Sequence, residues 1–205
     1  MKRFKLGMLA SVITCFAVFS LSSCKNQEQS QQPADDTTAV DTTAQATAPQ
    51  GPQLNDAQIA SAVVGANQID VDYAKIAIAK SKNKDVINFA NAMIKDHEAI
   101  IKSATALCQN LGVTPDDNND LTQGLSKQAT DTKAKLNTLS GADFDKAYID
   151  NEVAFHDAVI KAVTNTLIPQ AQNSELKQTM IDVSPLLNHH LEMAKEAQAK
   201  IESAQ

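Results

Sequence analysis

From about residue 55 onward, apolar residues return every three or four positions, which is the spacing of one face of an α-helix. The first such stretch runs from about Asn55 to Ser81. Ala62, Ile69, Tyr73 and Ile76 fall near one stripe, with Val63, Ala66, Asp70, Ala74 and Ala77 beside it. Asn83 is suited to cap a second helix, whose stripe is Val86, Ala90, Met93, His97, Ile100, Ala104, Leu107 and Leu111. Gly112 then offers a left-handed stop. A loop through Pro115 and Asp116 to Asn119 leads into a third helix, over about Asp120 to Leu139. It is more polar, with a thin apolar face of Leu121, Leu125, Ala129, Leu136 and Leu139.

Ser140 and Gly141 break the chain. A fourth helix is expected from near Asp143 to just before Pro169. Phe144, Tyr148, Phe155, Val159 and Val163 line one side, and Ile149, Glu152, His156 and Ile160 the adjoining strip. Asn173 or Ser174 caps the fifth. Its stripe is Leu176, Met180, Val183, Leu187, His190, Ala194, Ala197 and Ile201, and Pro185 inside it predicts a kink. Long amphipathic helices joined by short links pack as an antiparallel bundle. The pattern therefore predicts one all-α domain over residues 56–203, of ordinary domain size.

The N-terminal end reads differently. Lys2, Arg3 and Lys5 precede an apolar run from Leu6 to Leu21, and Leu21-Ser22-Ser23-Cys24 closes it. This is the layout of a secretory signal peptide, and the run is short for a spanning helix. The last four residues are similar to a bacterial lipobox. That similarity implies cleavage after residue 23 and acylation of Cys24, with each buried CH₂ adding about 0.8 kcal/mol to membrane anchorage. Residues 25–55 are rich in Gln, Thr, Ala, Asp and Pro, and their large aliphatics are Val40 and Leu54. Such a segment cannot bury enough apolar surface to offset its ordering entropy. Residues 24–55 thus read as a lipidated Cys and a disordered tether, with a reach of about 30 Å r.m.s.. Lys25 stands where Asp marks inner-membrane retention in the common lipoprotein sorting pattern. The expectation is an outer-membrane anchor, with the domain in the periplasm or at the cell surface.

Charge and cysteines narrow the partners. Cleavage removes three cations and no acid, so the formal charge moves from −6 to −9. An acidic chain is unsuited to nucleic acid and is repelled by anionic lipid, which leaves membrane attachment to the lipid on Cys24. Cys15 leaves with the signal peptide, and Cys108 lies among Ala104, Leu107 and Leu111. It is expected to be a small buried hydrophobe, without an intramolecular disulfide.

The candidate chemistry lies in the histidines. The chain has four, His97, His156, His189 and His190. They fall on three helices, and His97, His156 and His190 lie on or beside the apolar stripe near mid-helix. In an antiparallel bundle, mid-helix positions meet at one level. Asp70 sits near the middle of the first helix, and Glu152 precedes His156 by four and shares its face. The set Asp70, His97, Glu152, His156 and His190 can form a site of imidazole and carboxylate ligands inside the bundle. Those donors suit one transition-metal ion such as zinc, iron or copper. Met93 and Met193, four residues from a histidine, would favour copper if near the rings, although Met is commonly core filler. His189 lies off the stripe and is expected at the surface. No Glu-x-x-His pair is present, which argues against a ferritin-type di-iron centre. No phosphate loop, nucleophile elbow or Cys-x-x-Cys pair appears either.

These same residues carry a resemblance. Ile76-Ala77 follows Asp70. Phe89-Ala90 is followed by Met93-Ile94 and Asp96-His97, Phe144-Asp145 by Tyr148, Val153 by His156, and Pro185 by His190-Leu191. This set resembles the DUF4142 family of exported bacterial proteins, over about residues 56–203. The resemblance implies a ferritin-like antiparallel four-helix bundle with an additional helix, and core positions for His97, His156 and His190. Asp70 stands where the family commonly carries Glu. Two functions are consistent with the sequence. One is a lipoprotein that holds a transition metal for storage, buffering or stress protection. The other is a non-catalytic envelope module with a buried histidine layer, which acts on a protein partner through a surface such as the third helix. An oxygen- or peroxide-consuming enzyme is the third and weakest reading.

Overall fold

The five periodic stretches form five helices in the computed structural model, which describes residues 53–203. The signal segment, Cys24 and residues 25–52 of the tether lie outside the described residues. Helix α1 spans Asp56–Lys80. Asn55 accepts a hydrogen bond from the Gln58 N–H and the Gln58 side chain answers to the Asn55 N–H, a capping box that satisfies two donors at the helix start. Helix α2 spans Lys84–Leu111 and begins at the Asn83 cap. It ends at Gly112, which has a φ of 64°. A side chain there strains the left-handed turn, so Gly112→Ala is expected to destabilise the domain by about 1–2 kcal/mol in urea unfolding.

Helix α3 spans Asp120–Thr138 and is capped by Asn119. Helix α4 starts at Gly141 and runs to Ala162. It does not stop before Pro169. It continues through a π turn, Val163–Leu167, into a last turn, Ile168–Gln170, that contains Pro169. Within a regular α-helix the proline ring would press on the carbonyl four residues back. Here the Ile168 N–H reaches the Val163 carbonyl five residues back, so the turn ahead of the ring is widened. Helix α5 spans Ser174–Ser203 as a single helix with Pro185 inside it. Asn173 is its cap, accepting from the Glu175 and Leu176 N–H groups.

Ties between the ends give the topology. The Asp116 N–H donates to the Ala57 carbonyl (3.1 Å) and Lys80 donates to the Asn137 carbonyl (2.7 Å), so α3 runs parallel to α1. The Asp56 carboxylate accepts from the Gln172 and Asn173 N–H groups at the α4–α5 turn. Lys200 near the end of α5 pairs with Asp85 near the start of α2 (2.9 Å). Helices α1, α2, α4 and α5 therefore form a ring in which α1 neighbours α2 and α4, and α5 neighbours α2 and α4. Helix α3 carries the long crossover between α2 and α4, the connection of a ferritin-like bundle.

Its thin apolar face is used inside the domain: Ala129 and Leu136 are buried, and Leu121, Leu125 and Leu139 pack against the core. Helix α1 is buried on more than one side, with Ile59, Ala60, Ala62, Val71, Tyr73, Ala74 and Ala77 all in the core. Its alanines let neighbouring helices approach closely. Leu54, the last aliphatic residue of the segment read as tether, is buried as well, and its N–H donates to Gln170 Oε1 (2.6 Å).

The interior is filled as two apolar clusters. One, near the chain reversal of α1 and α2, contains Tyr73, Phe89, Met93, Phe144, Tyr148 and Phe155. The other, near the start of α1, contains Leu54, Ile59, Val163, Leu167, Leu176, Met180 and Leu187. Cys108 is a buried free thiol, and burial pushes its pKa up. Among the described residues no helix is long and apolar enough to cross a membrane.

Candidate metal centre

Between the two apolar clusters lies a polar layer. Asp70 comes from α1, His97 from α2, Glu152 and His156 from α4, and His190 from α5. All five are buried. The three imidazoles meet: ring centroids are 4.9 Å apart for His97 and His190, 5.6 Å for His156 and His190, and 5.7 Å for His97 and His156. One nitrogen of each ring lies within 4.8 Å of the corresponding nitrogens of the other two. His189 is exposed. Met93 is buried in the aromatic cluster, and Met193 packs against that cluster.

The hydrogen bonds set the direction of each ring. The Asn67 side-chain amide donates to the Val63 carbonyl (2.7 Å), so its oxygen is the atom facing His97 Nδ1 (2.7 Å). That oxygen can only accept, and the proton of His97 therefore sits on Nδ1. His156 Nδ1 faces the Glu152 main-chain carbonyl (3.0 Å) and carries its proton for the same reason. His190 Nε2 faces the Asp96 carboxylate (3.1 Å) and donates to it. Each ring thus spends its one N–H on an outer partner. The remaining nitrogens, His97 Nε2, His156 Nε2 and His190 Nδ1, have no hydrogen-bond partner although all are buried.

Burial, reinforced by the adjoining His190 and His156, pushes His97 down to about 3. Burial pushes His156 down to about 4, against the raising effect of the Glu152 carbonyl. Burial also lowers His190, against the raising effect of Asp96. At neutral pH the three rings are neutral and their inner nitrogens are lone pairs. Orphaned buried acceptors are costly and uncommon. Neutral imidazoles whose second nitrogen is held by a carbonyl or carboxylate are the usual form of histidine metal ligands.

The carboxyls form a second, overlapping group, in which donor atoms of Asp70, Glu152 and His156 lie within 4.8 Å of one another. Asp70 Oδ2 is 3.6 Å from His97 Nε2, and Glu152 Oε2 is 3.6 Å from His156 Nδ1. Both separations are beyond hydrogen-bond length. Asp70 Oδ1 and both Glu152 carboxyl oxygens have no partner. Burial raises the pKa of each acid well above the usual carboxylate range, and the charge of Asp70 raises Glu152 further. The five residues read from the sequence therefore come together as two triads that share His156.

Asn67 and Asp96, which orient two of the rings, are not among those five. Asn67 carried a signal, being a polar residue one turn before Asp70 on a buried face. Asp96 carried none in helical periodicity, because it points away from His97. Its partner is on another helix.

Among solved structures, the chain is similar to the one described as "CopM in the Cu(II)-bound form", with a TM-score of 0.54 and 16% identity, over 73% of this chain and 99% of that chain. At that identity the likeness concerns the helical fold. No curated protein matches the chain in sequence. A family described as "Domain of unknown function (DUF4142)" matches residues 40–197, most of the chain's length, and the chain belongs to that family.

Proposed function

We propose that this protein is an exported, lipid-anchored bundle that holds one transition-metal ion on His97, His156 and His190, for storage, buffering or protection of the cell envelope. One observation carries the reading. Three buried imidazoles from three helices each have one nitrogen tied to the protein and the other unpartnered, and each ring brings a nitrogen within 4.8 Å of a nitrogen of the other two. Three imidazoles with a fourth position left open suit zinc, copper or iron. Asp70 and Glu152 stand beside them as oxygen donors or as hydrogen-bond partners of a bound water. The name of the structural neighbour includes Cu(II), which makes copper the first ion to try. The acylated Cys24 and the tether would place the centre in the envelope, at the outer membrane, where extracytoplasmic metal is met first.

The test is metal content by mass spectrometry on chain 25–205, purified without a histidine tag or chelator. It is run beside the His97→Ala/His156→Ala/His190→Ala variant. Near-stoichiometric metal in the parent and none in the variant is the expected result. No metal in either, after loading with copper, zinc and iron in turn, would reduce the histidines to a polar layer. The search would then move to protein partners in the envelope.

A further inference from the structure

An apolar cavity of about 170 Å³ lies mainly in the cluster near the start of α1, beside the histidine layer. Its walls include Ala62, Val63, Leu121, Met180 and Leu187, contributed by α1, α3 and α5. Val163 and Leu167, the first and last residues of the π turn, complete the wall on α4. Single π turns in α-helices are frequent at functional sites, and this one shapes the chamber. Gln128 and Ala158 also border the cavity and are exposed, which puts its mouth between α3 and α4.

Native interiors hold few voids much larger than a water molecule. An apolar void of about 150 Å³ excludes water and takes up benzene. The other end of this cavity is polar. Asn67, Asp70 and His97 border it there. Asn67 bonds to Val63 and His97. Asp70 Oδ1 and His97 Nε2 are buried without partners. A largely apolar chamber that ends in a few convergent polar atoms is the usual form of a small-molecule site.

We propose that the cavity binds a small, largely apolar molecule with a single hydrogen-bonding head, of the size of a substituted benzene, with its head toward Asp70 and His97. The hydrocarbon body replaces the contacts an empty chamber forfeits, and the head meets the unpartnered Asp70 oxygen. The proposal does not require metal on the histidines and is tested on metal-free protein.

The experiment uses chain 25–205, which contains all five helices. Phenol and benzene are titrated while the methyl signals of Val63, Leu121, Leu167 and Leu187 are followed by NMR. Saturable shifts are expected for both probes, with phenol at least tenfold tighter. Asp70→Leu should abolish the preference for phenol and leave benzene binding in place. Ala62→Leu, which fills the chamber, should remove binding of both. Ala158→Trp, at the exposed mouth, should slow or block entry and leave the circular dichroism of the helices unchanged. Absence of saturable shifts would overturn the proposal, as would equal affinity for the two probes or shifts that survive both Ala62→Leu and Ala158→Trp.

Discussion

Replacing Asp96 with alanine is expected to weaken metal binding by about 10–100-fold, although Asp96 itself is not placed as a ligand. Its carboxylate accepts the Nε2–H of His190 and so commits the Nδ1 lone pair to the centre. Without it the ring is free to change tautomer or to rotate, and the free energy of fixing it falls on metal binding. Asp96 is 26% exposed as a side chain, so its truncation opens the Nε2–H of His190 toward solvent and the fold should persist. Competition titration against a chelator reads the affinity, and circular dichroism reads the fold. Asn67→Leu tests the same principle at His97, whose Nδ1–H bonds to Asn67. Unchanged affinity in both variants would mean that the two side chains are packing elements only.

The metal-free protein should respond to acid in a way that exposes the two halves of the polar layer. His97 and His156 titrate in the folded protein at about 3 and about 4, below their ordinary 6.5, so the unfolded chain takes up protons first. Their contribution to stability is complete above pH 6.5 and is lost as pH falls toward 4. Two such groups give a slope of about 2.7 kcal/mol per pH unit in that window.

Asp70 and Glu152 act with the opposite sign. Burial raises their pKa values, so their contribution is present below the ordinary values of 3.8 and 4.5 and is lost as pH rises above them. In the parent the two trends oppose each other, and the profile between pH 7 and 4.5 should be shallow. In Asp70→Asn/Glu152→Gln the acid contribution is gone. That variant should be more stable than the parent at neutral pH and should lose stability steeply on acidification. Urea unfolding across pH 4–8 checks both profiles, and parallel profiles would refute the assignment.

Most of the bundle was legible in the chain because its signals are local. The three-and-four spacing marked the helices. Asn83, and Asn173 or Ser174, read as caps because a short side-chain oxygen reaches the first free N–H groups; the caps at Asn55 and Asn119 appear only in the structure. Gly112 read as a stop because the turn needs a positive φ. The convergence of His97, His156 and His190 was also legible, since core-facing residues at mid-helix must meet at one level when helices run side by side.

What escaped depends on relations between helices. Asp96 looked idle next to His97 because neighbours in sequence diverge by about 100° around a helix. Its partner, His190, is brought beside it by the packing of α2 against α5. Pro169 looked like an end because periodicity assumes a regular turn, and a π turn changes what the ring would meet. The thin apolar face of α3 looked like a free surface because the sequence could not show α1 and α4 beneath it.

The division of the interior into two apolar clusters makes the polar layer a seam across the molecule. The half around Phe144 and Tyr148 and the half around Leu176 and Met180 are each built of hydrocarbon side chains, yet between them stand groups whose lone pairs have no partner in the protein. Three of the four ring helices contribute an imidazole at that level. An occupant of the seam would act as a rivet, joining α2, α4 and α5 at the level where the two clusters meet.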